Sequence, residues 1–278
     1  MNTTRRTIFA LAGMSTIAVA LPAFATDVSA LAQIKASKKL RVGVTSAEPW
    51  FFKDPMTDHW SGVGVAFGQK LAEKLGVKME PVETSWSNCV AALQADQMDI
   101  MFVLDPTPER RQALDFPSTP LFYYAMGALV QADAPFKSWK DLDKPETHIG
   151  VTLGTSLDRN ITAMMKTAKI ERFSNNDEAI AAFAARRVTV VVQFHPALIV
   201  QYSKLKMGKV ILPTPVNPVA TSAGIRKQAD SSFVDWLNTE FAEMYKAGVP
   251  DQIFDAYLKS KGINPNGIPG LIKESWTA

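Results

Sequence analysis

The sequence predicts an α/β protein of two lobes, the second inserted into the first and joined to it by two extended connections. Two features carry that expectation. Short β-rich runs alternate with stretches of helical periodicity, and the alternation occurs twice along the chain. An apolar extended run then follows each copy, and a helical tail comes after the second. A tail of that kind fits a chain that leaves the first lobe, builds the second and returns.

In the first copy, Lys39–Thr45 (KLRVGVT) reads as a strand. Val65–Leu75 repeats apolar residues at helical spacing and stops at Gly76. Lys78–Val82 is a second strand, Trp86–Ala95 a helix capped by Ser85, and Asp99–Leu104 a buried strand. This βαβαβ order implies parallel strands with crossover helices. The pattern restarts with strand His148–Leu153, helices Ser156–Thr167 and Asp177–Ala185, and the β-branched strand Thr189–Phe194. Tyr123–Gln131 and Val210–Val219 are the two connections, and Ser231–Tyr245 and Asp251–Lys261 form the helical tail. The lobes are therefore drawn as 38–130 plus 218–278 for the first and 131–217 for the second, with a hinged cleft between them.

Residues 1–25 read as a secretory signal peptide. Arg5 and Arg6 precede an uncharged apolar run from Ile8 to Leu21, too short to span a bilayer, and Ala23-Phe24-Ala25 follows as a cleavage signal. The arginine pair leaves the Sec and twin-arginine routes both open. Net charge is +3, and +1 once the two leader arginines are removed, without long basic runs, which argues against a nucleic-acid binder. Cys89 is the single cysteine and reads as a small buried hydrophobe. The three histidines, His59, His148 and His195, show no metal-ligand spacing, so neither metal nor cofactor is expected.

The candidate site lies where loops follow strands at a cleft. In DIMFVLDPTPERRQALDF the buried strand gives way to a polar loop carrying Asp105, Thr107 and Arg110. A guanidinium there offers a planar fork matched to a carboxylate, whereas its neighbour Arg111 reads as solvent-facing. The second lobe answers with Gly154-Thr155-Ser156 before a helix, a place for an anion or simply a helix cap. The run Trp50-Phe51-Phe52 supplies aromatic surface, and His195 beside Pro196 is either a pocket donor or a structural histidine.

Taken together, these segments resemble the family 3 solute-binding proteins of ABC transporters, the polar amino-acid binders. The resemblance runs from Leu40-Arg41-Val42-Gly43 to the terminal helices and includes Thr107-x-x-Arg110, the turn Gly154–Ser156 and the aromatic cluster. It implies a two-lobe, type II periplasmic binding fold and a monomer that carries a small carboxylate, an amino acid above all, to an inner-membrane permease. It also implies that Arg110 and Thr155 hold the ligand carboxylate while Trp50 or Phe51 packs on its side chain. The chain departs from the family's usual pattern in two places. Gly62-Val63-Gly64 replaces an acid-bearing motif, and Arg186–His195 lacks the acid that would take an α-ammonium. Asp105 stands where a hydroxyl is usual and can supply that charge; otherwise an organic acid without an amine becomes the candidate. A binding protein rather than an enzyme is expected, although the same scaffold hosts cyclohexadienyl dehydratases, for which Asp105 would be the general acid.

Overall fold

The computed structural model describes residues 29–276; the leader assigned to residues 1–25 lies outside them. Eight strands form the path of a single sheet. In order across it they are Lys78–Glu83, Lys39–Val44, Ile100–Leu104, Pro218–Arg226, Phe122–Val130, Val190–Phe194, His148–Thr152 and Lys169–Phe173. The first three are parallel, as the βαβαβ reading requires, and so are the last three. Between the two parallel sets stand the two nine-residue strands Phe122–Val130 and Pro218–Arg226, each antiparallel to its neighbours.

Those two long strands are the hinge. Ala125 pairs with Pro218 and Phe122 with Thr221, after which they diverge. Residues 126–130 of one continue against Val190–Phe194 in the second lobe, and residues 222–225 of the other lie against Ile100–Leu104 in the first. The insertion topology expected from the sequence is therefore present, with a shift in position. The return strand begins at Pro218, one residue before the end of the run read from the sequence; Val210–Val219 is not one run but the end of a short strand, Lys209–Ile211, a loop, and the first two residues of Pro218–Arg226.

Helices cover both sets. Val63–Leu75 packs on the first-lobe strands and buries Phe67 and Leu71. Gly64 makes room beneath it, since a Cβ there would lie 2.4 Å from Phe51 Cε1. The tail helices Ser232–Lys246 and Val249–Ser260 return to this lobe and bury Phe233, Phe241 and Phe254. Asn176–Ala184 and His195–Leu205 line the second lobe's sheet, where Phe183, Val188 and Leu198 form a smaller cluster. The latter helix and strand Lys169–Phe173 went unread in the sequence, as did Ala30–Ser37.

Interlobe cleft

A cavity of about 40 Å³ lies between the lobes. From the first lobe it is lined by Trp50, Trp86, Val103, Asp105, Arg110 and Tyr124. The second lobe contributes Thr152, Thr155, Ser156, Asn176 and Gln193 as polar wall, with Phe194 and Leu157 among its apolar side chains. Its first-lobe floor is shaped by an irregularity in the sheet. The register between Pro218–Arg226 and Ile100–Leu104 shifts between Ser222 and Ala223, and Val103 takes φ 59°, a left-handed conformation costly for a β-branched residue. The extra residue turns the strand end, so that Asp105 and the following segment meet the cleft.

That segment is a short helix, Pro108–Ala113, rather than a loop. Thr107 caps it by accepting from the Arg110 backbone N–H at 3.3 Å, and Pro108 occupies its first turn. Thr107 therefore orients Arg110 and does not itself line the cavity. Arg110 is 5% exposed. Its guanidinium donates to the Asp105 carbonyl at 3.1 Å and, across the cleft, to the Gly154 carbonyl at 3.0 Å. Burial pushes it below the ordinary arginine value, partly opposed by the charges around it, Asp105 included. These contacts use two of its five N–H donors.

Asp105 is the second bridge. Its carboxylate accepts from Tyr124 on the hinge strand and from Ser156 on the second lobe. Gly154 lies outside the cavity lining, and its part is a close approach of backbone. It sits at φ 77°, and a Cβ would lie 2.8 Å from Ser87 Cα on the facing lobe. Thr155 caps helix Ser156–Met164, accepting from Asp158 N–H at 3.1 Å while donating to the Thr152 carbonyl at 2.7 Å.

The aromatic cluster separates into three roles. Trp50 faces the cavity and stacks on Phe122 at 5.6 Å. Phe51 does not; it is fully buried under the first-lobe helix against Trp86 at 6.0 Å, which corrects its assignment to the ligand wall. Phe52 carries Lys261 over its ring at 3.6 Å. His195 is corrected likewise. It lies 2% exposed behind the hinge, accepting from the Ala125 N–H at Nδ1 (3.1 Å) and meeting the Pro269 carbonyl at Nε2 (3.0 Å). Both ring nitrogens are thus committed to backbone, and burial lowers its pKa to about 4.

Sequence reasoning missed Tyr124, Trp86, Phe194 and Gln193. Tyr124 stacks on Phe194 with ring centroids 3.5 Å apart and joins the lobes through the hinge strand itself. Away from the cavity a further interlobe cluster closes one side of the cleft. Glu48, 4% exposed, accepts from Tyr257 Oη at 2.6 Å, from Lys261 at 3.0 Å and from Lys204 of the second lobe. Burial alone would raise this carboxyl, but the bonds from Lys204, Tyr257 and Lys261 outweigh it and hold it below the usual range.

Two α/β lobes on paired hinge strands, with charged groups bridging the cleft, define a solute-binding protein. Residues 40–260 match the bacterial extracellular solute-binding proteins, family 3, and the chain belongs to that family. Among its relatives is an L-arginine-binding protein of Pseudomonas aeruginosa, 27% identical over 86% of this chain and 95% of that one. A crystal structure of an ancestral amino acid-binding protein, AncCDT-1, described as a precursor of cyclohexadienyl dehydratase, superposes with a TM-score of 0.72. It is 31% identical and covers 84% of this chain and 99% of its own. A cyclohexadienyl dehydratase of Pseudomonas aeruginosa matches more narrowly, at 30% identity over 51% of this chain and 54% of its own.

Proposed function

We propose that the protein captures a small α-amino acid by its carboxylate in the interlobe cleft and presents it, closed, to an inner-membrane ABC permease. The observation that carries this reading is Arg110, a buried guanidinium that belongs to one lobe and donates to the other. Its remaining N–H groups are matched to a carboxylate, with the Thr155–Ser156 helix start opposite. The ligand then favours the closed form because it touches both walls. The names of the amino-acid-binding relatives support an amino acid over other acids.

The lobes in this reading comprise 38–130 plus 218–278 and 131–217, and the working form is a periplasmic monomer exported by the leader at residues 1–25. Trp50 supplies the aromatic surface for the ligand. Calorimetry on Arg110→Ala is the test: loss of the fork costs about 2–5 kcal/mol of binding, roughly thirty-fold or more in Kd. Wild-type affinity in that variant would dismiss the clamp.

Binding without turnover is the preferred reading, but the dehydratase relative motivates a direct check of the alternative. A dehydratase needs a general acid at the substrate. Asp105 is the carboxyl group among the described residues lining the cavity, and both its oxygens already accept hydroxyl hydrogens. Incubation with prephenate yields no phenylpyruvate on the binding reading; its formation would reverse the assignment.

A further inference from the structure

Gln193 stands on the second-lobe strand Val190–Phe194, lines the cavity and is 3% exposed. Its Nε2 donates weakly, at 3.5 Å, to the Asn176 carbonyl, while its Oε1 is buried without a hydrogen-bond partner. A buried carbonyl left unpaired is costly, so a position that retains one is built to receive a donor. The neighbouring polar groups do not fill it. Asn176 Oδ1 accepts from Thr152 at 2.9 Å, and the Thr155 hydroxyl donates to a backbone carbonyl.

The charges around the cavity set what that donor can belong to. Among the described lining residues Arg110 is the one cation and Asp105 the one anion, and Asp105 is already bonded to Tyr124 and Ser156. The rest of the wall is uncharged: the hydroxyl and amide side chains of Thr152, Thr155, Ser156 and Asn176, and aromatic and aliphatic surface in which Trp50, Trp86 and Phe194 are prominent. A ligand with one carboxylate and one ammonium leaves this balance unchanged. A ligand with an additional cationic side chain brings a charge for which the wall holds no second carboxylate, beside a buried guanidinium.

We propose that Gln193 is the acceptor for the ligand's amino group, and that the cleft selects small amino acids with uncharged side chains and rejects cationic ones. This rests on the amino-acid reading given above and narrows it. It also separates this chain from its arginine-binding relative, because a neutral amide carbonyl reads an N–H without supplying the countercharge that a guanidinium or second ammonium requires.

The test is calorimetry at neutral pH on the full mature chain. L-alanine, L-serine and L-cysteine are compared with L-arginine and L-lysine, and with the des-amino acids propionate, 3-hydroxypropionate and 3-mercaptopropionate. The expected result is a neutral amino acid that binds at least roughly tenfold more tightly than L-arginine and L-lysine, and by a similar factor more tightly than its own des-amino partner. Gln193→Leu reduces the preference for the amine to near unity while the des-amino acid binds as before. Gln193→Met, which keeps the side-chain length, does the same if the leucine variant folds poorly. Gln193→Glu strengthens binding of the amine and admits L-lysine. Equal or tighter binding of L-arginine or L-lysine by the wild type overturns the selectivity while leaving the amino-acid reading intact. An unchanged amine preference in both apolar variants overturns the role of Gln193. Binding of the des-amino acids alone refutes the amino-acid reading itself, and binding of none of the compounds overturns the selection for small uncharged side chains.

Discussion

His195 makes the protein's stability depend on pH below neutrality. The folded pKa is lowered to about 4 by burial, against an ordinary value of about 6.5. A lowered histidine pKa means that the unfolded chain holds the proton more readily than the native one. Stability is therefore full above about pH 6.5 and falls as the solution is acidified toward pH 4. Between pH 7.5 and pH 5 the linkage amounts to about 2 kcal/mol. For a chain of this size that corresponds to a fall in Tm of roughly 4–8 °C. The readout is thermal unfolding by circular dichroism or calorimetry at pH 7.5, 6 and 5, in wild type and His195→Gln. Glutamine offers an acceptor and a donor but does not titrate, and His59 and His148 are common to both proteins. The wild type loses about 2 kcal/mol more than the variant over that range, whatever the variant's absolute stability. Parallel curves would mean that the imidazole is not held neutral between Ala125 and Pro269, and the assignment would fall.

Other consequences are open to equally direct measurement. Lys204→Met removes the second-lobe partner of Glu48, which keeps Tyr257 and Lys261; Lys204 is half-exposed, so the loss is about 1 kcal/mol, a roughly fivefold shift toward the open form visible as a larger radius of gyration in X-ray scattering. No change in scattering would show that this ion pair does not hold the lobes together. Gly154→Ala strains a φ of 77° and drives a methyl onto Ser87 Cα, so ligand affinity falls about tenfold or more with secondary structure unchanged. Affinity equal to wild type would exclude a close approach there. Burial raises the Cys89 thiol, and its Sγ is enclosed, so thiol reagents label it only on unfolding; rapid labelling of the native protein would contradict that burial.

Most of the long strands and most helices of both lobes were legible because their periodicity is local; Lys169–Phe173, with three charged residues and only one buried, was not. Val63–Leu75 announces itself by apolar spacing and Gly76, and Val190–Phe194 by its run of valines. Helix His195–Leu205 was obscured because His195-Pro196 looks like a break, whereas proline is at home in a first helical turn. The helix Pro108–Ala113 is too short to show helical periodicity, and its polar sequence reads as a loop. Within the cleft, Asp105, Arg110 and Ser156 could be proposed because strand ends and helix starts are where sheets present polar groups. The choice between Trp50 and Phe51 was not legible. Adjacent residues point to opposite sides, and which side is the cavity depends on a helix packed from farther along the chain. Tyr124 and Phe194 resemble ordinary core aromatics until the hinge brings them face to face. Gln193 carries no signal in the sequence beyond lying in a stretch without an acid; its unpaired carbonyl is a property of the folded wall.

The pairing of the two long strands governs how the halves can move. Had the crossings been separate threads, each could flex alone and the lobes could swivel, slide or splay. Instead the ladder from Phe122–Thr221 to Ala125–Pro218 makes them a single ribbon, stiff in its own plane because in-plane shear would tear hydrogen bonds and pliant only out of it. Motion is confined largely to one swing, like a door on a strip of leather. Binding energy is then spent on reaching one closed pose, not on choosing among many.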